Sequence, residues 1–334
     1  MSGPTTVSII IPTLNEAEDI EDCLGALAAQ TWPIRDLQVV VVDAASHDQT
    51  VKRSTAAARP LRLDLITRAN PARRTSAGLN LGLEACTGEF VVRVDARSRI
   101  GPKHVERAVM LLASRSDVGV VGGGQRATAR SDRLVDRAIA RALRNRYTTG
   151  LARYRRADVA GPADTVWMGA FRRADLERLG GWNEAVALNE DWDLNERFRR
   201  AGMLVWFDPE MDAQYLPRRS FTPLARQYFR FGRVKGTWWM RGRRPAARQL
   251  FLLVLPPVGI TVAVVIGAKV GVLPLAAAAI VSAFAIDAVG GREPAAVPVR
   301  IGALVATAVS STSWWIGVVV GAVGELAGVR HAHG

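Results

Sequence analysis

The sequence VSIIIP at residues 7–12 decides the fold, because it is a nearly unbroken run of β-branched residues. A run of this kind is typical of a strand that is buried on both faces of a parallel sheet. Similar runs follow at residues 37–42, 63–67 and 90–94. Helical patterns lie between the runs, at residues 17–30, 50–58 and 75–85. Strands that alternate with helices predict an α/β fold with a mostly parallel sheet.

Two carboxylates stand where predicted strands end. Asp43 closes the second run and Asp95 closes the fourth. Ligands of open parallel sheets bind beyond the carboxyl ends of the strands, so this pair indicates a crevice for a polar ligand. A carboxylate at a strand end can instead cap the helix that follows, and for Asp43 taken alone the two interpretations are equally good.

A further acidic segment, NEDWDLNERF at residues 189–198, opens a predicted helix. Leu194 and Phe198 lie four residues apart and give this helix an apolar face. Acidic residues in a first turn suit the helix dipole, but four carboxylates within residues 190–196 exceed what capping needs. One of them is therefore a candidate general base.

The composition is that of a folded protein of one or two domains. The chain has 334 residues, of which 49% are hydrophobic and 22% charged, and these values exclude a disordered or fibrous protein. Its two cysteines, Cys23 and Cys86, are too few and too far apart for a zinc cluster or a disulfide framework. They fit a reducing, cytosolic location, and residues 1–6 show no signal peptide.

The net charge of +13 comes from one segment of the chain. Residues 217–249 hold ten basic residues and no acidic one, whereas residues 1–216 hold 30 basic and 28 acidic residues. Uncharged runs follow at residues 250–268, 271–286 and 301–324. The first and the third run are long enough for transmembrane helices, and the second is short. A basic block before an apolar run places residues 1–249 in the cytoplasm by the positive-inside rule.

These segments predict a catalytic domain at 1–216, a basic juxtamembrane segment at 217–249 and two to three transmembrane helices within 250–329. The expected partner of the basic block is an anionic membrane surface, and no nucleic acid is expected, because the block adjoins an apolar run. The alternative is a helical hairpin buried in a soluble protein. The prolines at 256–257 also allow a kinked or re-entrant first span.

Several motifs occur in an order that carries a family resemblance. They are PTLNE at 12–16, DAASHDQT at 43–50, the segment 70–82 with GE at 88–89, RVDAR at 93–97, GGWNE at 180–184 with NED at 189–191, and QYFRF at 227–231. Through these motifs residues 5–240 resemble the inverting family-2 glycosyltransferases, especially membrane-attached bacterial glucosyltransferases of the succinoglycan or exopolysaccharide type. The resemblance implies a GT-A nucleotide-sugar-binding, Rossmann-like domain.

The resemblance also implies roles for single residues. Asp191 is the implied catalytic base, with Glu190 and Asp193 as competing assignments. The residues implied to bind the donor are Pro12, Glu16, Asp43, Asp48, Arg73 or Arg74, Asp95 and Arg97. The residues implied to bind the acceptor or to close over the donor are Trp182, Glu184, Glu190, Gln227 and Arg230. The implied reaction is one displacement at the anomeric carbon, which needs a base for the acceptor hydroxyl and positive charge at the departing diphosphate.

One position departs from the family pattern. The metal motif Asp-x-Asp reads Asp95-Ala96-Arg97 here, and an arginine offers no lone pair to a metal. Asp95 can still bind Mg²⁺ or Mn²⁺ together with substrate phosphates and water, or Arg97 can partly replace the charge of the ion. We expect a metal dependence that is retained but weakened.

The implied function is the transfer of one sugar from a nucleotide-sugar donor, expected to be UDP-linked, to a lipid-linked or carbohydrate acceptor. The expected location is the inner cell membrane, with several spans and a cytoplasmic catalytic domain. A polyprenyl-phosphate glycosyltransferase similar to dolichyl-phosphate mannose synthases is the alternative among enzymes. A non-catalytic membrane scaffold is the alternative of another class. The motifs do not fix the sugar, the nucleotide or the acceptor.

Overall fold

The computed structural model describes residues 5–145, 153–155, 159–186, 188–242, 245, 249–250, 253, 287 and 294–328. The chain forms two compact units. The first unit comprises Met1–Arg126 and Ala152–Tyr215, and the second comprises Ala127–Leu151 and Leu216–Gly334. Each unit is described by itself below.

The strands are β1 (Val7–Thr13), β2 (Leu37–Asp43), β3 (Asp64–Ala69), β4 (Phe90–Arg93), β5 (Ser98–Ile100), β6 (Val118–Gly123), β7 (Gln125–Ala127), β8 (Gly161–Pro162), β9 (Trp167–Arg172), β10 (Leu204–Phe207) and β11 (Ala213–Tyr215). The helices are α1 (Ile20–Ala28), α2 (Thr50–Ala58), α3 (Thr75–Glu84), α4 (His104–Ser114), α5 (Leu134–Arg144), α6 (Arg173–Arg178), α7 (Glu190–Arg200), α8 (Phe221–Met240) and α9 (Val297–Leu326). Short 3-10 turns occur at Ile34–Asp36 and Arg153–Arg155.

The main sheet of the first unit has the strand order β3-β2-β1-β4-β9-β6-β10-β8 within the described part of the chain. β3, β2, β1 and β4 are parallel neighbours, which confirms the predicted α/β fold with a mostly parallel sheet. β9 is antiparallel to both β4 and β6. The register pairs Thr13 with Asp43 and Ile10 with Arg93, so the carboxyl ends of three neighbouring strands meet at one edge.

The core lies on both faces of this sheet, as the continuous apolar runs predict. Ile9 and Ile11 point to the face that α1 and α4 cover, while Ile10 points to the face that α3 covers. α3 approaches the sheet closely because Gly82 has no side chain. A Cβ atom at this position would lie 2.5 Å from Cγ2 of Ile10. This helix therefore carries its preceding loop to the carboxyl edge of the sheet.

The second unit contains α5, α8 and α9 among its described residues. α8 and α9 run parallel in close contact, because each presents glycines to the other. A Cβ atom at Gly232 or Gly236 would overlap backbone atoms of α9, and one at Gly317 or Gly321 would overlap backbone atoms of α8. Small residues at a four-residue spacing allow this approach of two helix backbones.

α9 is the one helix in the described part of the chain that is long and apolar enough to cross a membrane, by length and composition alone. It contains the predicted run 301–324. The predicted spans 250–268 and 271–286 lie outside the described residues, apart from residues 250 and 253. The basic segment 217–249 contains α8, which the charge pattern did not predict as a helix.

Candidate active site

A buried arginine joins three carboxylates at the carboxyl edge of the sheet. Arg93 is the last residue of β4, and its side chain is 8% exposed. Its Nε donates to Oδ1 of Asp95 at 2.9 Å. Its Nη1 donates to Oε1 of Glu190 at 2.8 Å and to Oδ1 of Asp191 at 2.6 Å. The end of β4 and the first turn of α7 are thereby tied together, although 97 residues separate Arg93 from Glu190.

The backbone before α7 aims these carboxylates at the cluster. Asn189 precedes the helix with φ of 63°, a left-handed conformation that asparagine tolerates better than most residues. Leu194 and Phe198 are fully buried and fix the helix against the sheet. Glu190 and Asp191 therefore occupy the first turn, where the helix dipole favours negative charge.

The cluster shifts the ionisation of Asp191. The pKa of Asp191 is raised to about 7: burial raises it most, Arg93 opposes this effect, and the neighbouring Glu190 and Asp95 add to the increase. Burial lowers the pKa of the Arg93 guanidinium, but its three carboxylate neighbours outweigh burial and hold it well above its ordinary value. A carboxylate with a pKa near neutrality is suited to accept a proton at physiological pH.

Glu190 and Asp193, the competing candidates for the base, lie in different surroundings. Glu190 is buried, and its Oε1 accepts from Arg93. Asp193 is 4% exposed, and its Oδ2 accepts from Nε of Arg197 at 3.2 Å. Arg197 in turn donates to the carbonyl oxygens of Leu179 and Gly181, so Asp193 belongs to a structural network that holds the preceding loop.

Asp95 is the partly exposed carboxylate of the RVDAR motif, with 29% of its side chain exposed. Its Oδ2 accepts from Nε1 of Trp167 at 3.2 Å. Arg97 points to Glu16 instead, with Nε 3.2 Å from Oε1. Burial lowers the pKa of Arg97, but Tyr215, Glu16 and Asp95 outweigh burial and raise the pKa above its ordinary value.

The described residues include no ready-made cage of three or more His, Cys, Asp or Glu side chains for a metal ion. Asp95 offers one carboxylate at the edge of the sheet. Mg²⁺ in nucleotide-dependent enzymes is commonly held by one or two carboxylates together with substrate phosphates and water. The donor set at Asp95 therefore fits a divalent ion that shares its coordination with a phosphorylated substrate.

The other half of the crevice is built from the ends of β1 and β2. Asp43 is 9% exposed and accepts from Oγ1 of Thr13 at 3.0 Å, and from Oγ and N of Ser46 at 2.6 and 2.9 Å. Asp48 accepts from the backbone N–H groups of Ala17 and Thr50, each at 3.0 Å. Asp43 therefore fixes the turn after β2 from within, and Asp48 ties that turn to the loop after β1.

The loop after β1 is held in an unusual backbone conformation. Asn15 has φ of 55°. Its N–H donates to Oγ of Ser46 at 2.8 Å, and its Oδ1 accepts from the N–H of His47 at 2.9 Å. These bonds place the half-buried Pro12 and Glu16 beside the turn that carries Asp43.

The remaining predicted residues lie in three places. Arg73 and Arg74 are exposed just before α3, and Arg73 has φ of 54°. Trp182 is 1% exposed and packs edge-on against Phe171, so its ring anchors the loop rather than facing solvent. Glu184 is exposed and accepts from Nδ2 of Asn80 at 2.9 Å. Gln227 and Arg230 lie on α8 in the second unit.

Arg93 lies within the motif RVDAR, but the family resemblance implies no role for it. The sequence does contain a pattern that indicates a contact between Arg93 and Asp95. Residues i and i+2 of an extended chain point to the same side, and Arg93 stands two positions before Asp95. No sequence pattern indicates a role for Trp167, since only the antiparallel insertion of β9 brings it to Asp95.

Comparison with known proteins shows the family of this chain. Residues 4–233 match the family described as "Glycosyltransferase like family 2". The chain is 28% identical over 319 residues to the succinoglycan biosynthesis protein ExoA of Rhizobium meliloti, covering 93% of this chain and 94% of ExoA. It is 28% identical over 260 residues to the glycosyltransferase AglE of Haloferax volcanii, covering 75% and 79% of the two chains.

A solved structure has the same fold. It is the mannosyltransferase PcManGT from Pyrobaculum calidifontis, determined in complex with GDP-Man and Mn²⁺. The TM-score is 0.63 at 24% identity, and the match covers 94% of this chain and 86% of PcManGT. Because the family match spans well over half of the chain, the protein belongs to the family-2 glycosyltransferases and is an enzyme with a GT-A-like α/β domain.

Proposed function

We propose that this enzyme transfers one sugar, with inversion, from a nucleotide-sugar donor to a lipid-linked saccharide in the synthesis of a cell-surface polysaccharide. The observation that carries the proposal is the placement of Asp191. Its carboxylate lies in the first turn of α7 beside Arg93 and Asp95, at the carboxyl edge of the sheet. This edge is where open α/β sheets bind their ligands.

In the proposed reaction the acceptor hydroxyl oxygen forms a bond to the anomeric carbon while the bond from that carbon to the donor diphosphate breaks. Asp191 takes the hydroxyl proton, and the nucleoside diphosphate leaves with the electron pair of the broken bond. Asp43 and Asp48, with Pro12 and Glu16, would shape the pocket for the nucleoside. A single displacement from the face opposite the leaving group inverts the anomeric centre.

The departing diphosphate needs positive charge. Asp95 would hold Mg²⁺ or Mn²⁺, and such an ion would neutralise charge on the diphosphate. Arg73, exposed before α3, is suited to phosphate oxygens through its planar guanidinium. Arg97 lies near Asp95 and pairs with Glu16, so it offers hydrogen-bond donors on this side of the crevice without adding net charge.

The acceptor and the location are inferred from the relatives and from the second unit. A succinoglycan biosynthesis protein is similar over nearly the whole chain, and succinoglycan is an exopolysaccharide. α9 is a candidate membrane span, and basic residues crowd the segment before the apolar runs. We place the enzyme in the inner membrane with several spans and its catalytic unit in the cytoplasm.

The test is an assay of transfer in washed membranes, with a panel of UDP-, GDP- and dTDP-sugars, each with and without Mn²⁺. We expect turnover of one donor that is abolished by Asp191→Asn while donor binding is kept. Asp193→Asn is the matched control in the same helix, because Asp193 pairs with Arg197 and not with Arg93.

Two acceptors in this assay distinguish the proposed function from that of a polyprenyl-phosphate glycosyltransferase. Lipid extract that carries pyrophosphate-linked saccharides should support transfer, whereas polyprenyl phosphate alone should not. A monophosphate-linked sugar lipid as the product would move the assignment to a polyprenyl-phosphate glycosyltransferase. If Asp191→Asn transfers sugar at nearly the wild-type rate, Asp191 is not the base.

A further inference from the structure

We propose that Arg93 is the positioning residue that holds the base Asp191 and the phosphate-side carboxylate Asp95 in one reactive arrangement. This inference rests on the proposed function and extends it to a residue to which the family motifs assign no role. Arg93 is argued to act through the two carboxylates and not through contact with the substrate.

The geometry of the Arg93 guanidinium supports the proposal. One guanidinium donates to carboxylates from two separate elements, with Nε directed to Asp95 and Nη1 directed to Glu190 and Asp191. The planar guanidinium fixes the angle between its donors, so it sets the carboxylates at a defined separation, which the flexible point charge of a lysine cannot do. Only Oδ1 of Asp191 is used in this bond.

The charges around Arg93 also support the proposal. Asp95, Glu190 and Asp191 are like charges gathered around one partly buried point, and like charges at such distances repel strongly when water is limited. Arg93 supplies the positive charge between them. Without it, the first turn of α7 would be driven away from the end of β4, or one carboxylate would take up a proton. Either change would displace the base from the acceptor.

The position of Arg93 in a buried strand also points to a role at the site. Ile10 of β1 pairs with Arg93 of β4, and all four residues of β4 are buried. A long charged side chain is placed here at a substantial desolvation cost, which its carboxylate partners offset. An apolar residue of similar volume would fill the same space without that cost, so the arginine indicates a requirement at the site rather than in the core.

The experiment compares Arg93→Met, Arg93→Lys and the control Arg107→Met for kcat, donor KM and melting temperature. Arg107 is a fair control because it also pairs with a buried carboxylate of the first unit: its Nε and Nη2 both donate to Oδ2 of Asp208. We expect kcat of Arg93→Met to fall about a hundredfold, the loss typical of a misplaced catalytic group. We expect donor KM to stay within about threefold of wild type, since a group lost from the transition state affects mainly kcat.

Arg93→Lys keeps the charge and loses the planar geometry. We therefore expect its kcat to be about tenfold higher than that of Arg93→Met and still below that of the wild type. Arg107→Met should keep kcat close to wild type even if it melts at a lower temperature. Near-wild-type kcat in Arg93→Met would overturn the proposal, and so would full recovery in Arg93→Lys. If Arg93→Met and Arg107→Met lose kcat equally and in step with melting temperature, Arg93 only stabilises the fold and the proposal fails.

A thermal double-mutant cycle keeps the test independent of the proposed function. Arg93→Met leaves three unshielded carboxylates, and Asp191→Asn removes one of them, so the double variant should melt no lower than Arg93→Met alone. Additive losses would show that Arg93 does not hold Asp191. A wild-type enzyme without transfer would refute the proposed function, while this cycle would still decide whether Arg93 positions Asp191.

Discussion

The rate of sugar transfer should depend on pH through Asp191, with the acid limb of the profile near neutrality. Burial together with Glu190 and Asp95 raises the pKa of this carboxyl to about 7, against the effect of Arg93. With that value about a tenth of the enzyme carries the ionised base at pH 6 and about nine tenths at pH 8. We therefore expect kcat/KM to rise about tenfold between these two pH values.

The perturbation that tests the cause is Glu190→Gln. The negative charge of Glu190 raises the pKa of Asp191, and glutamine keeps the size of the side chain without the charge. The acid limb should therefore move to lower pH, so that the variant retains a larger share of its maximal rate at pH 6. The assay is transfer from a saturating and a limiting donor concentration across pH 5 to pH 9 in a buffer of constant ionic strength.

The raised pKa of Asp191 also makes the stability of the fold depend on pH. Between the ordinary value of 3.8 and about 7 the folded protein keeps a proton on Asp191 that the unfolded chain releases. Stability contributed by this group is therefore present at low pH and falls as pH rises through that interval. Asp191→Asn should remove this part of the pH dependence of the melting temperature. An acid limb near pH 4 in the wild type, unmoved by Glu190→Gln, would refute the reasoning.

The remaining predictions concern the fold, the donor pocket and the metal. Gly25→Ala should raise stability by about 0.5–1 kcal/mol in thermal unfolding, because Gly25 lies inside α1 and a Cβ atom there meets nothing within 4 Å. Gly236→Leu should lower the melting temperature of the detergent-solubilised protein, since the side chain would force α8 and α9 apart; an unchanged value would contradict this packing. Asp43→Ala should raise donor KM about tenfold or more, because the turn held by Thr13 and Ser46 is released; an unchanged KM would remove Asp43 from the donor site. Excess EDTA should lower transfer and added Mn²⁺ should restore it, whereas Asp95→Ala should not respond to Mn²⁺; full activity in EDTA would remove the metal from the reaction.

The parallel half of the sheet was predictable from local sequence. The β-branched runs that gave β1, β2 and β4 are long, continuous and bounded by polar residues, so their type and approximate bounds follow from composition alone. The antiparallel β9 was not predicted. Its residues Trp167–Arg172 mix aromatic, small and charged side chains, and its place between β4 and β6 depends on pairings with strands that lie far away in sequence.

The carboxylates of the candidate site could be predicted from the sequence, but the arginine that joins them could not. Asp43, Asp95 and Asp191 stand at strand or helix ends, where sequence patterns have meaning. Arg93 stands inside a buried strand pattern, and its partners Glu190 and Asp191 lie almost one hundred residues away. Such a contact depends on the sheet order, in which β9 follows β4 and α7 packs on β9 and β6. Helix α8 was not predicted for a related reason. Its glycines allow close helix packing, and this can be recognised only when the glycines of α9 lie opposite them.

The charge balance of the site accounts for the tolerance of an arginine in the metal motif. Arg97 is paired with Glu16, so this pair adds no net charge to the crevice. Arg93 faces three carboxylates, and when all three are ionised that cluster keeps two negative charges. A donor diphosphate brings further negative charge, and the two would repel each other in a crevice with little water. One divalent ion at Asp95 would balance the cluster, so the site retains a reason to bind a metal although the second carboxylate of the motif is absent.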